Sequence, residues 1–476
     1  MNKKMKSQIT LIYPGIGICG FGQAGKSLSG EVNWIHHGLA SIGAYIKSKG
    51  YDVKLIDMRT LDSWEDFKKT IENLKTDIIG ISISNLDYKI AMRAVEIIKD
   101  LKPSTKIIAG GLNPTIFPEN YKNNQKIDYI ITGEGEITFT KIVRGLEKSV
   151  SLPKFNKGEV PNLNELPRAD RNLFNYSREL NCHFTRDQAF PSVTMIAGRG
   201  CPYQCTYCQP AENLTYGRPH RMRSPQNVVE ELRALKNEFD FKSITFWDDT
   251  FTVNLEWTFE FCDLYEKEKF GATIVACNRA DIICRNESIV KRLREIGLDW
   301  FVIGFESGSQ RILNLLKKGT TVEQNCKAAS ICKKYGIKIF ATFMLGLPTE
   351  TKEEQLATAK MIMDIKPEHL SPFYFVPIMG TEIYDLCQEK DLILPDLTDP
   401  FAIARTEVYR PTIKNIDYKF LDRLKSKILN QNKKSALQLI PLIKECLKDP
   451  LKIISLINKI VKHIEVEFYF CREKFK

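Results

Sequence analysis

Residues 192–210 read SVTMIAGRGCPYQCTYCQP. The first half is an apolar, β-branched run ending at Gly198 and Gly200, which reads as a buried strand running into a turn. The second half places Cys201, Cys205 and Cys208 in one short loop. Thiolates three and four residues apart on such a loop converge on one soft metal centre. Structural zinc takes four ligands, usually from paired C-x-x-C knuckles. Here the spacing is C-x3-C-x2-C with no fourth Cys or His at knuckle distance, since His220 lies 12 residues beyond Cys208 (220 − 208). A 4Fe–4S cluster accepts cysteine thiolates on its irons. Three thiolates then leave one iron open, where a ligand can be bound and reacted. Tyr203 and Tyr207 lie in the same loop and would shield a cluster from solvent.

Working outward, the alternation of strands and helices continues from Pro191. Strands read as SVTMIAGRG, SITFWDD, ATIVACN, WFVIGFES, IKIFATFMLG and LSPFYFVPI, with helices such as SPQNVVEELRALKNEF and KEEQLATAKMIMDI between them. Six repeats over about 190 residues predict a partial (β/α)6 barrel across 191–395 rather than a closed eight-fold one, with reactive groups where strands end. The cysteine loop follows the first strand and so falls on that face.

The first 150 residues alternate in the same way. Strands read as QITLIYPG, DVKLIDM, DIIGISI, KIIAGG and DYIITGEG, and continuous Ile/Val-rich strands mean burial on both faces, hence a parallel sheet. The prediction is a doubly wound, Rossmann-like α/β domain over 1–150, with a ligand crevice at the strand C-terminal ends. There stand Pro14-Gly15, Ser82-Ile83-Ser84-Asn85, Gly110-Gly111 and Gly133-Glu134-Gly135. These turns serve either a ligand or the chain's own geometry. Residues 151–190, including NKGEVPNLNELPRADRNLF, are polar and prolyl and read as a linker laid over the surface. Residues 396–476 form a helical C-terminal region, apolar on one side and Lys-rich on the other. It reads as a cap on the barrel, with membrane-surface or lipid contact as the alternative.

Bulk properties bound the function less tightly. The 476 residues carry a formal net charge of +11, which admits nucleic acid, anionic lipid or acidic small molecules and selects none of them. Much of the excess reads as solvated lysine faces. No apolar run reaches the roughly 18–20 residues of a membrane span. The opening MNKKMKSQITLIYPG reads as a first strand rather than a signal peptide, so a cytoplasmic protein with mostly reduced cysteines is expected. The ten cysteines outside the loop read as small buried hydrophobes.

The C-x3-C-x2-C loop after a first barrel strand resembles the signature of the radical S-adenosylmethionine (SAM) superfamily. The resemblance covers roughly residues 190–385 and implies that the open iron chelates SAM, whose reductive cleavage gives a 5′-deoxyadenosyl radical. It also implies SAM contacts. Tyr207 lies in the loop, and Asp248 and Asp249 stand in FWDDTFTVN at the end of the second barrel strand. Arg279 stands in NRAD, Glu306 and Ser307 in IGFESGSQRIL, and Gly346 in FMLGLPTET; KKGTT is likewise typical of the branch. For Asp248 and Asp249 a helix cap is the plainer reading of acids after a strand.

The N-terminal half resembles the cobalamin-binding domain fused to many such enzymes, on GLASIGAYIKSKGYDVKLID, IGISIS, AGGLNPT and TGEGEITF. That likeness implies corrin contacts from Ser82, Ser84, Asn85, Gly110, Gly111, Gly133, Glu134 and Gly135. No D-x-H-x-x-G motif is present, so the usual lower-axial histidine is missing. His36 and His37 are replacements by location only, with ordinary surface histidines as the other reading. The implied activity is cobalamin-dependent radical SAM chemistry, with methyl transfer from methylcobalamin foremost and oxidative cyclisation or rearrangement as the alternative. A small-molecule or lipid-like substrate and a flavodoxin- or ferredoxin-type electron donor are implied. RNA modification is disfavoured, because methylthiolating tRNA enzymes carry further N-terminal cysteines, whereas here only Cys19 precedes the linker. A non-catalytic electron carrier would call for a fourth thiolate.

Overall fold

Two parallel sheets carry the chain, each built where the sequence alternates. The structure, a computed structural model, describes residues 7–22, 34–174, 176, 180–181, 184–185, 187–209, 211–217, 220–394 and 411–433. The first sheet contains β1 (Ile9–Tyr13), β2 (Val53–Asp57), β3 (Ile78–Ser82), β4 (Lys106–Gly110), β5 (Tyr129–Thr132) and β6 (Phe155–Lys157), in the order β2-β1-β3-β4-β5-β6. Every pairing is parallel. Strand order reverses between β1 and β3, which is where a doubly wound sheet opens its ligand crevice. One face is covered by helices His37–Ser48 and Glu136–Glu147, the other by Trp64–Asn73 and Tyr88–Leu101.

The second sheet contains β7 (Ser192–Met195), β10 (Ser243–Phe246), β11 (Thr273–Asn278), β12 (Leu298–Glu306), β13 (Lys338–Leu345) and β14 (His369–Tyr374). Its order is β14-β13-β12-β11-β10-β7, again all parallel, with β7 and β14 at opposite edges. Six strands that do not close are the expected partial barrel. Between β7 and β10 the short strands β8 (Gly198–Arg199) and β9 (Arg221–Met222) pair antiparallel and frame the cysteine loop. The helices on the outside start at ordinary caps. Ser224 accepts the Asn227 N–H ahead of Pro225, and Thr351 forms a capping box with Glu354.

The segment expected to lie over the surface is more deeply engaged than its polarity suggested. Phe155–Lys157 adds the sixth strand beside β5. Arg171 is buried, donating to Glu231 at 2.5 Å and to the Thr194 carbonyl at 3.0 Å. Burial alone would raise the Glu231 pKa; Arg171 and Arg223 together hold it down at about 2. Gln188 ties the N-terminal ends of two barrel strands by donating to Ser192, Ser243 and Thr245 at 2.8, 3.1 and 3.0 Å. A charge can be buried when it finds an opposite charge, and composition alone does not reveal that partner.

Beyond the barrel, helix Tyr418–Lys433 packs on helix Lys352–Ile365, burying Leu421, Leu424 and Ile428. Of the helical region expected over 396–476, residues 411–433 are described, and 396–410 and 434–476 lie outside the described residues. Among the described residues no helix is long and apolar enough to cross a membrane. Replacing Arg171 by Met leaves Glu231 buried with one guanidinium instead of two. This is expected to lower stability by about 3 kcal/mol, read as a lower urea midpoint for the apoprotein.

Candidate active site

The cysteine loop has little apolar mass of its own, and its neighbours shape it. Cys205 is buried, Cys201 half-buried and Cys208 exposed, and none is in a disulfide. Among the described residues no three ligating side chains close on one point, as a single ion would need. Three thiols in one loop are a donor set that a 4Fe–4S cluster accepts, one on each of three irons.

Three contacts pin the loop. Arg279, at the end of β11, lies with its guanidinium 3.5 Å from the Tyr203 ring centroid and directs Nη1 to Cys205 Sγ at 3.8 Å. Its remaining nitrogens bond Asp281 at 2.9 Å and the Lys318 carbonyl. Tyr207 donates to Glu306 Oε1 at 3.1 Å, and Lys318 Nζ reaches both, at 3.0 Å to the phenol and 2.9 Å to the carboxylate. Burial first, then the nearby Glu306 and cysteines, push the Tyr207 phenol well above its ordinary pKa. Glu306 sits where the β12–β13 register shifts, with φ at 59°, a left-handed conformation that non-glycine residues rarely hold. Gly304 makes room for it, because a Cβ there would collide with the Glu306 carboxylate.

The third contact separates the two acids of FWDD. Asp248 is buried and accepts the N–H groups of Ala197 (3.1 and 3.0 Å) and Gly198 (2.6 Å), bracing the chain just before the first cysteine. Burial pushes its pKa up to about 7 against the pull of those donors. Asp249 is exposed. Ser307 and Gly346, also expected at the SAM site, hold the backbone. Ser307 Oγ accepts the Ser309 N–H at 3.1 Å and lies 3.2 Å from Thr358 Oγ1. Glu350 accepts the N–H groups of Gly346 and Leu347 at 2.9 and 3.2 Å. Beside the loop opens a groove of about 880 Å³ lined by Pro202, His220, Met222, Asn254 and Trp257 among others.

In the first sheet the switch point brings Tyr13, His36 and Ser82 together. The His36 ring lies edge-on to Tyr13 at 4.9 Å, and Nε2 is 3.3 Å from Ser82 Oγ. Gly111 has φ at 103°, and a Cβ there would meet Ile83 backbone atoms at 2.9 and 3.0 Å, so strands β3 and β4 end in close apposition. The other expected corrin residues are largely engaged with the protein. Ser84 bonds Asp87 at 2.9 Å, and Asn85 accepts from the buried Asn113 at 2.9 Å. The Gly133 N–H bonds Thr115 at 2.8 Å, Gly135 caps helix Glu136–Glu147, and Gly110 ends β4. The Glu134 carboxylate is taken by Arg199 and Arg221.

Both histidines weighed as cobalt ligands are engaged with the protein. His36 Nδ1 accepts the Leu39 N–H at 3.0 Å, and burial lowers its pKa to about 4. The ring is therefore neutral, with Nδ1 taken by the start of the helix. His37 Nε2 is held by Thr194 Oγ1 at 2.8 Å, across the junction with the barrel.

Comparison with known proteins agrees with this geometry. The family profile of the radical SAM superfamily matches residues 195–362, and that of the B12 binding domain matches residues 28–143. A putative methylthiotransferase of Methanocaldococcus jannaschii is 30% identical over 74% of this chain and 77% of its own length. An uncharacterised methyltransferase of Pyrococcus horikoshii is 29% identical (75% and 79%), and an anaerobic magnesium-protoporphyrin IX monomethyl ester cyclase of Rubrivivax gelatinosus is 28% identical (86% and 73%). The fold matches the cobalamin-dependent S-adenosylmethionine radical enzyme OxsB at a TM-score of 0.70, with 18% identity over 98% of this chain and 72% of that one. The chain therefore belongs to the radical SAM superfamily, in the branch that carries a B12-binding domain. It performs SAM- and cobalamin-dependent radical chemistry, with a 4Fe–4S cluster, SAM and cobalamin as cofactors.

Residue-by-residue reading missed Lys318, although KKGTT contains it, because a lysine before a glycine looks like surface. Its Nζ pairs with Glu306 where both side chains are about nine-tenths buried, at 8% and 10% exposure. Lys318→Met strands that carboxylate and is expected to lower stability by about 3–5 kcal/mol, measured by urea unfolding of the apoprotein. For Asp248 the folded pKa lies above its ordinary 3.8, at about 7. The folded chain therefore binds more protons than the unfolded one between those values, and this contribution declines as pH rises through them. Asp248→Asn removes the decline, so its melting temperature relative to wild type is expected to climb from about pH 4 to about pH 8.

Proposed function

We propose that this chain is a cobalamin-dependent radical SAM C-methyltransferase acting on an unactivated carbon of a small molecule. Adjacency supports the reading. Helix Ala211–Tyr216, just past Cys208, packs on Leu112–Ile116 at the end of β4. A Cβ on Gly133 would lie 3.5 Å from the Thr215 carbonyl. The end of the corrin crevice and the cluster loop are thus neighbours, and group transfer between cofactors needs a short, fixed path.

When bound, the cluster and SAM supply a 5′-deoxyadenosyl radical and methylcobalamin supplies the methyl group. In this reading Cys201, Cys205 and Cys208 hold the cluster. Arg279 donates toward the Cys205 sulfur, Lys318 balances Glu306, and Asp248 fixes the loop entry. Tyr203 and Tyr207 exclude water. Asp249, Ser307 and Gly346 border SAM together with Tyr207, Arg279 and Glu306. Ser82, Ser84, Asn85, Gly110, Gly111, Gly133 and Gly135 shape the corrin crevice. The groove at Pro202 and Trp257 gives a small substrate access to the loop. We assign 1–150 to the corrin unit, 151–190 to the connection, which lends strand Phe155–Lys157 to the corrin unit's sheet, 191–395 to the barrel and 396–476 to the helical cap. A flavodoxin- or ferredoxin-type protein serves as electron donor. Peripheral membrane contact rests on the Lys-rich apolar sequence after residue 418, and a lack of co-flotation with anionic liposomes removes it.

A second reading, oxidative cyclisation, draws on the likeness to a cyclase over 86% of the chain. Anaerobic reconstitution is expected to give roughly four irons per chain, corrin absorbance and deoxyadenosine under reductant, with iron lost in Cys205→Ala. Zinc in the loop, or iron-loaded protein that makes no deoxyadenosine, ends both readings. Given methyl-deuterated SAM, a product carrying the label supports methylation, whereas an unlabelled, oxidised product favours cyclisation.

A further inference from the structure

A heavily charged junction between the two sheets lies at the base of the cysteine loop. Arg199, in β8, stands two positions before Cys201 and pairs across the ribbon with Arg221 of β9. Arg199 Nη2 donates to Glu136 Oε1 at 2.6 Å and to Ser41 Oγ at 3.3 Å, and its Nη1 bonds Glu134. Arg221 takes the other Glu134 oxygen and donates to the Pro161 carbonyl at 3.2 Å. Ser41 completes the set by donating to Glu136 Oε1 at 2.7 Å. Both glutamates are 3% exposed in their side chains, against 18% and 22% for the arginines. Two carboxylates and two guanidiniums thus cancel in a nearly dry junction.

The placement of the four charges has mechanical consequences. Glu134 lies in the turn after β5, and Glu136 opens the following helix, both at the crevice end of the first sheet. The arginines belong to the two strands that emerge from and re-enter the barrel around the cysteines. Through these pairs the end of the first sheet is tied to the foot of the loop. A guanidinium fork holds two carboxylates at fixed angles, which an ammonium cannot do. A separate contact between the two halves of the chain is made by Trp34, which packs edge-on against Trp247 at 4.4 Å.

We propose that Arg199, acting through Glu134 and Glu136, is a positioning residue that sets the corrin crevice at a fixed distance and angle from the cluster loop. This rests on the reading that both cofactors bind as proposed above. The clasp touches neither the substrate nor the reacting atoms. Its work is to keep radical and methyl donor in register, where displacement of about an ångström costs roughly a hundredfold in rate.

The magnetic coupling between the reduced cluster and cob(II)alamin depends on their separation and orientation and needs neither substrate nor turnover. Wild-type holoenzyme, reduced anaerobically, is expected to show a single well-defined coupling in its paramagnetic resonance spectrum. Arg199→Gln, at wild-type iron and corrin content, is expected to lose that single value to a spread of weaker ones. Arg199→Lys, which keeps the charge without the fork, should fall between. An unchanged coupling in Arg199→Gln overturns the proposal. If Arg199→Gln fails to fold or to load, Glu136→Gln decides by the same measurement, since it leaves the Arg199–Glu134 pair intact. A broadened coupling there supports the clasp and an unchanged one overturns it. Wild-type protein that loads a cluster but no corrin defeats the proposed function, and the clasp with it.

Discussion

A loop that gathers three cysteine ligands at one strand end, one of them buried, concentrates negative charge there, and the rest of this structure is arranged around that constraint. Glu306 and Asp248 add carboxylates within the same few contacts. The buried ones are answered individually. Arg279 reaches Cys205, Lys318 sits on Glu306, and Asp248 is satisfied by the N–H groups of Ala197 and Gly198. Low dielectric strengthens such pairs and makes an unpaired member costly. The loop is therefore held by its surroundings, each contact coming from a different strand end: Arg279 from β11, Glu306 from β12 and Asp248 from beyond β10. A parallel barrel gathers these positions because all its strands end on one face.

The same pattern is repeated at larger scale. Arg171 of the connecting segment enters the barrel to meet Glu231, and Arg199 with Arg221 meets Glu134 and Glu136. In both places arginine does the bridging, consistent with a weakly hydrated planar cation that satisfies several acceptors at once. Apolar burial gives each sheet its mass, and these ion pairs supply direction: they specify which surface faces which, something a non-directional hydrophobic contact does poorly.

Much of the architecture was legible before any coordinates. All five strands expected in the first 150 residues form, as do all six expected barrel strands, because buried parallel strands are written as continuous Ile/Val/Phe runs between amphipathic helices. The cysteine loop was legible because its ligand spacing is local. Harder to see were Phe155–Lys157, whose polar three-residue strand carries no periodic signal, and Arg171, whose neighbourhood reads as loop. Lys318, Arg199 and Asp248 look like surface charges or caps, and each finds its partner 12, 63 or 65, and 50 or 51 positions away.

What the sequence determined alone was anything fixed over a few residues: the strand and helix order, the three-thiol loop and hence the class of chemistry. What only the tertiary structure decided was which charges meet. It put the His36 ring at the start of a helix as a cap and set Glu134, at the crevice end of its sheet, between two arginines. The reason is physical. Periodicity and ligand spacing are short-range properties of a chain, whereas the protonation, direction and partner of a buried polar group depend on atoms that come close only when the sheets pack.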